Sequence, residues 1–309
     1  MKAAAVTTLA GDGVRGFYYQ PPAGSDRCLI LLLGDEGNDF MSRSFAAWLT
    51  RTQQCAALCV AVRQEPGADT GVHCWPIERI RAAAQWLTAR GVQKVGILGL
   101  SMQAALALTA ASLLPELRLV IALSPCDFVP WGFHQGRLGK AKDAEWPSGT
   151  SAFSWQGKEL LYQPAGLEKE AYWELFQKST KEHKEPHSIA VFERSEALHP
   201  IAEECFIRVE DIRGRLVLLG AEDDAMWDTA RYIRRMQARL ADRAALPPVV
   251  KLFRHGTHFL FPERMVRSAV PLAGDLVSRV FAAGRSYPAE CRAARQEVDA
   301  LLTKILSDW

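Results

Sequence analysis

Six short runs at residues 28–33, 57–62, 94–98, 119–123, 216–219 and 249–253 are close to continuously hydrophobic rather than alternating. Strands buried on both faces carry that pattern, because neither side of the pleat meets water. The stretches between them repeat at helical spacing. Pro76 at a first turn opens Ile77, Ile80, Ala84 and Leu87 until Gly91 stops the helix, and residues 102–114 form an Ala- and Leu-rich stretch ended by Pro115. Strands alternating with helices predict right-handed crossovers and a mostly parallel sheet. The fold class expected is therefore α/β, preceded by an edge hairpin over residues 11–20.

The rhythm changes after residue 127. Up to about residue 213 the chain carries glycines, prolines and the tryptophans 131, 146, 155 and 173, with no convincing buried strand pair before about 189–192. Linkers are poor in tryptophan, so this segment reads as a cap over a site. One domain over 1–309 with a cap insertion at about 128–213 is expected. The tail 288–309 places Cys291, Ala294, Val298, Leu301, Leu302 and Ile305 at helical spacing. This amphipathic helix should cover the sheet or a second subunit, which would make a homodimer.

Composition narrows the partners. With 37 basic and 35 acidic residues in 309, there is no global field for nucleic acid or a lipid surface. The purely apolar runs fall far short of the roughly 18 residues of a membrane span. Seven cysteines without CxxC spacing fit neither a disulfide framework nor a zinc ribbon. The first residues are too weakly apolar for a signal peptide, so a cytoplasmic location and a small-molecule partner are expected.

The sharpest feature is Gly99-Leu100-Ser101-Met102-Gln103, at the end of one strand run and the start of a helix. A strand-turn-helix with serine at the turn is the context of a nucleophile elbow, which lifts Oγ clear of the sheet. Gly99 meets the demand for a small neighbour, whereas Gln103 stands where a second glycine is usual. The Met102 N–H would be one oxyanion donor, and the backbone of Gly34, Asp35 and Glu36, after the run 28–33, would supply the other. A capping serine in a plain βα turn is the competing reading. Further along, Asp223 and Asp224 follow the run 216–219, and His255 and His258 follow 249–253. The order Ser, Asp, His is that of an α/β-hydrolase triad.

On these residues the chain resembles the α/β-hydrolase superfamily. More narrowly, it is similar to the catalytic domain of the acyl-CoA thioester hydrolase and bile acid-CoA:amino acid N-acyltransferase family. That resemblance rests on residues 95–101, 120–125, the stretch Ser154-Trp155-Gln156-Gly157-Lys158 and its continuation to 162, and 224–229. It implies Ser101 as nucleophile, His258 as base and an acid at 223 or 224. Counting forward from Gly220 selects Asp223, and counting back from Trp227 and Thr229 selects Asp224. The Asp-x-x-Trp-x-Thr spacing, unbroken into the following helix, favours Asp224. Family members often carry a β-sandwich domain ahead of the hydrolase domain; with only an edge hairpin over 11–20 here, none is expected. The amino-acid-transferring members use cysteine as nucleophile, so serine here favours hydrolysis of an ester or thioester. Transfer to an amine and a non-catalytic binding fold are the alternatives.

Gln103, Trp227, His255 and Trp131 are candidate pocket residues, with His255 a competitor for the base. His183 and His187 have a spacing open to zinc, but Pro186 interrupts the helix, so a solvated cap loop and no metal are expected. No cofactor is expected either. Arg231, Arg234, Arg235 and Arg239 share a helix face that could meet phosphates but reads better as a solvated face. Cys126 should pack as a small apolar residue.

Overall fold

The computed structural model describes residues 2–63, 71–134, 146–241, 246–271 and 274–309. The chain opens with β1 (Ala5–Thr7), α1 (Leu9–Asp12), β2 (Gly16–Tyr19) and β3 (Arg27–Leu32), followed by α2 (Phe40–Thr52) and β4 (Ala56–Val60). Next come β5 (Trp75–Pro76), α3 (Glu78–Thr88), β6 (Lys94–Leu100), α4 (Met102–Leu113) and β7 (Leu119–Leu123). The eight-stranded sheet is completed by β12 (Arg215–Ala221) and β13 (Val249–Phe253), in the order β1-β2-β4-β3-β6-β7-β12-β13. From β4 onward all neighbours in that order are parallel, while β1 and β2 are antiparallel additions at one edge. This is the mostly parallel α/β sheet that the apolar runs predicted.

Each central strand feeds two cores. In β3, Cys28, Ile30 and Leu32 face one apolar layer, and Leu29 and Leu31 face the other. The period of two is present, but both faces are apolar, so the sequence shows a continuous run. On the first face lie α3, α4 and α7 (Thr229–Arg239). Residues 104–111 of α4 are all buried, as suits a helix apolar on every side. The second face is covered by α2, α8 (Glu263–Ala269) and α11 (Pro288–Asp308), whose Val298, Leu302, Ile305 and Leu306 pack with Phe45 and Leu49 of α2. The C-terminal helix therefore spends its apolar stripe on the sheet of its own chain. Between α8 and α11 run the short helices α9 (Gly274–Ser278) and α10 (Ala282–Ser286). Among the described residues no helix is long and apolar enough to cross a membrane.

The segment after β7 is more regular than its sequence suggested. It holds β8 (Trp131–His134) paired with β9 (Trp146–Ser151), and β10 (Phe153–Trp155) paired with both β11 (Lys158–Glu159) and β5. Two helices follow, α5 (Lys169–His183) and α6 (Ile189–Leu198), so residues 189–192 are helical rather than extended. Residues 135–145 of the expected cap lie outside the described residues. Pro76 also differs from expectation: it pairs with Ser154 as part of β5, and α3 starts two residues later.

The arginines of α7 are all paired with carboxylates, Arg234 while exposed to solvent and Arg235 and Arg239 while partly buried. Arg231 pairs with Glu196 at 2.7 Å, Arg239 with Glu210 at 2.9 Å, and Arg234 with Glu222. Arg235 grips Asp127 with two bonds, Nε to Oδ2 at 2.7 Å and Nη2 to Oδ1 at 2.6 Å. The Asp127 side chain is fully buried, and its burial pushes the carboxyl up even against the guanidinium. It sits just beyond β7, where the chain leaves the sheet. Arg235→Ala would strand this carboxylate in the interior, a change that costs about 3–5 kcal/mol. A urea titration should show a lower midpoint with an unchanged slope.

Candidate active site

Ser101 has φ 61° and ψ −131°, outside the regions L-residues ordinarily occupy. The strain persists because both flanks are fixed: β6 ends at Leu100, the Ser101 N–H donates to the Leu123 carbonyl at 2.9 Å, and α4 begins at Met102. The turn is so tight that a Cβ at Gly99 would stand 2.1 Å from the Gln103 carbonyl oxygen. The steric demand thus falls on Gly99 and on the backbone of residue 103. The Gln103 side chain is free of it and lines the cavity beside Ser101. This accounts for a long side chain where the motif usually has glycine. Gly99→Ala must move α4 and should cost about 3 kcal/mol, visible as a lower melting temperature.

The other two candidate residues come from neighbouring strands. Asp224 follows β12, and both its oxygens approach His258 Nδ1, at 2.9 and 2.8 Å. The carboxylate also accepts the Met226 N–H at 2.9 Å and the Thr229 hydroxyl at 2.6 Å, and it is 3% exposed. His258 follows β13 and is equally buried, with its ring edge-on to Trp227 at 5.7 Å. Its carbonyl accepts the Ser124 hydroxyl at 2.8 Å, and Ser124, at φ 47°, also offers its own carbonyl to Trp227 Nε1 at 3.1 Å. Nδ1 is thereby committed to Asp224. Among the described residues Nε2 takes no protein hydrogen bond.

Asp223 and His255 form a separate pair. His255 Nδ1 lies 2.7 Å from Asp223 Oδ2, and its ring stacks on Tyr287 at 3.8 Å. Two adjacent aspartates thus each hold one of the two histidines, and the buried couple is Asp224–His258.

Ser101, Met102, Gln103 and Trp227 share a cavity of about 230 Å³ with Asp35. Gly34, Asp35 and Glu36 follow β3 as expected. Gly34 is required there, because a Cβ would stand 2.1 Å from the Asp39 carboxylate that caps α2. The Asp35 carbonyl accepts the Arg63 N–H at 2.9 Å, and the Glu36 side chain turns away to Arg15 and Arg63 at 3.0 and 3.1 Å. Two expected pocket residues lie elsewhere. Trp131 is buried behind the wall, stacked on Phe192 at 4.9 Å, and borders a different cavity. His255 is held at Tyr287. The sequence did not mark Ser124, and it offered Thr229 only as part of the spacing around the acid, not for the hydroxyl that binds Asp224.

His183 ends α5 and is exposed, whereas His187 is buried in the turn that follows. Their rings stack at 3.7 Å, His187 is 9% exposed, and Ser179 Oγ meets its Nδ1 at 2.7 Å. Burial, with His183 adding to it, pushes the His187 imidazole pKa down. Among the described residues no group of three or more His, Cys, Asp or Glu side chains could hold a metal ion. Cys126 is fully buried, and burial pushes its thiol up.

The fold, the strained serine turn and the buried Asp–His couple define a protein of the α/β-hydrolase class. The family model of the BAAT / acyl-CoA thioester hydrolase C-terminal domain matches residues 77–265, from the start of α3 into α8. The chain belongs to this family. No curated protein matches the chain. Among solved structures it is similar to carboxyl esterase 2 of the fungus Tuber melanosporum, at 13% identity over 96% of this chain and 81% of that one, with a TM-score of 0.51. That likeness is one of fold. The esterase domain of a Rhodothermus marinus protein is similar at 12% identity, covering 98% of each chain, with a TM-score of 0.48. A Pyrococcus furiosus esterase is similar at 16% identity over 90% and 89%, with a TM-score of 0.46.

Proposed function

We propose that the protein is a serine hydrolase that cleaves a small acyl ester or thioester through an acyl-enzyme. One observation carries the reading: a serine held at φ 61° between a strand and a helix, bordering the same cavity as Trp227, whose ring meets the buried His258–Asp224 couple. Family membership supports the same chemistry. Ser101 Oγ attacks the carbonyl carbon and passes its proton to His258 Nε2, while Asp224 keeps the Nδ1 proton in place. The carbonyl oxygen takes the negative charge toward the Met102 N–H at the start of α4 and the backbone after β3. Collapse of the intermediate breaks the C–O or C–S bond, and the leaving group departs with the proton from His258. Water then attacks the acyl-enzyme with His258 as base and regenerates the serine.

At about 230 Å³ the cavity is below the usual range for drug-sized ligands, which favours a short acyl chain. A screen of the full chain against p-nitrophenyl esters and coenzyme A thioesters of two to twelve carbons tests the reading. Turnover concentrated at short chains is expected. Absence of turnover across both series would contradict it.

A further inference from the structure

The loop after β3 brings Asp35 into the lining of the same cavity as Ser101. Among the described residues its carboxyl accepts no hydrogen bond; Arg63, whose charge acts on it, is paired with Glu36. A carboxylate at this position works against the anion that forms during acyl transfer, so it needs a separate physical reason to be there. The rest of the lining supplies one. Phe133, Tyr172, Phe192 and Trp227 border the cavity, with Phe133 and Tyr172 edge to face at 6.0 Å and Phe192 and Trp227 at 5.3 Å. No Lys, Arg or His side chain among the described residues lines it. Aromatic faces gathered round a single carboxylate, with no protein cation inside, are the arrangement that attracts an alkylammonium group, through ring quadrupoles on one side and charge on the other. At about 230 Å³ the cavity is small enough for one ligand to meet both Asp35 and these rings.

We infer that Asp35 and the aromatic wall select substrates carrying a cationic amine or quaternary ammonium group, and that Asp35 is a specificity-determining residue. The inference rests on the serine-hydrolase reading above and narrows its substrate class. Burial pushes the Asp35 carboxyl up, with Asp39 and Glu36 adding to it and Arg63 acting against it. Neutral esters of the same shape would lose the ionic attraction, and anionic ones would be repelled.

The test uses two phosphonate thioesters that differ only in the end of the leaving thiol, one bearing a trimethylammonium group and the other a tert-butyl group. Both report on Ser101 by labelling it, and neither needs the natural substrate to be known. The expected result is labelling of the full chain about tenfold faster by the cationic probe, with that ratio falling toward one in Asp35→Asn and in Phe192→Ala. Labelling by both probes at the same rate would leave the serine chemistry intact and overturn cation selection alone. A preference that survives Asp35→Asn undiminished would overturn the assignment to Asp35. Labelling by neither would remove the serine-hydrolase reading, and this inference with it.

Discussion

Replacing Ser101 with alanine is expected to lower kcat for a short-chain p-nitrophenyl ester by about 10⁴- to 10⁶-fold, the range found when a triad nucleophile is removed. The loss should be in kcat rather than KM, because the cavity walls and the oxyanion donors remain. It should also be purely chemical. Alanine and serine both carry a Cβ, so both bear the same cost at φ 61°, and among the described residues the Ser101 hydroxyl makes no hydrogen bond that folding would miss. The melting temperature should therefore change little. A variant that melted many degrees lower would point to a structural role for the hydroxyl.

The second large effect separates two adjacent aspartates. Asp224→Asn puts an amide where the His258 Nδ1–H, the Met226 N–H and the Thr229 hydroxyl all donate, so one of those donors must face an NH₂ group. The easiest escape is for His258 to take the other tautomer, which puts its proton on Nε2 and leaves nothing there to accept from serine. A fall in kcat of about 10⁴-fold is expected, the size seen when a triad acid is made neutral. Asp223→Asn should change kcat less than about threefold, since Asp223 is half-exposed and holds His255 against Tyr287, away from the Ser101 cavity. Steady-state kinetics on the two variants decides the matter. The reverse ordering would transfer the couple's role to Asp223 and His255.

The contrast between these neighbours shows how far the sequence could be read. Strands such as β3 and β7 were legible because burial on both faces leaves an unbroken apolar run that little else produces. Gly99-Leu100-Ser101 was legible because the turn's steric demand is local, and the structure shows why Gln103 does not spoil it. The choice between Asp223 and Asp224 was narrower, since adjacent residues differ only in which way the chain after Gly220 sends them. The segment after β7 was poorly legible for a related reason: β5 and β10 are two and three residues long and meet across nearly eighty positions, so no local pattern marks them. The arginines of α7 illustrate a further limit. Helical spacing tells which side chains share a face, but only the tertiary structure brings Asp127, Glu196, Glu210 and Glu222 opposite that face. The Asp35 carboxyl was hidden in the same way, on a loop whose backbone seemed to be its whole contribution.

The central claim is that the hydroxyl at position 101 is a nucleophile, and the most direct test is to find where a generic fluorophosphonate bonds. The full chain should gain the mass of one adduct, peptide mapping should place it on residue 101, and His258→Ala should slow its formation by several orders of magnitude. An adduct on another residue, or none after prolonged exposure to excess reagent, would contradict the account.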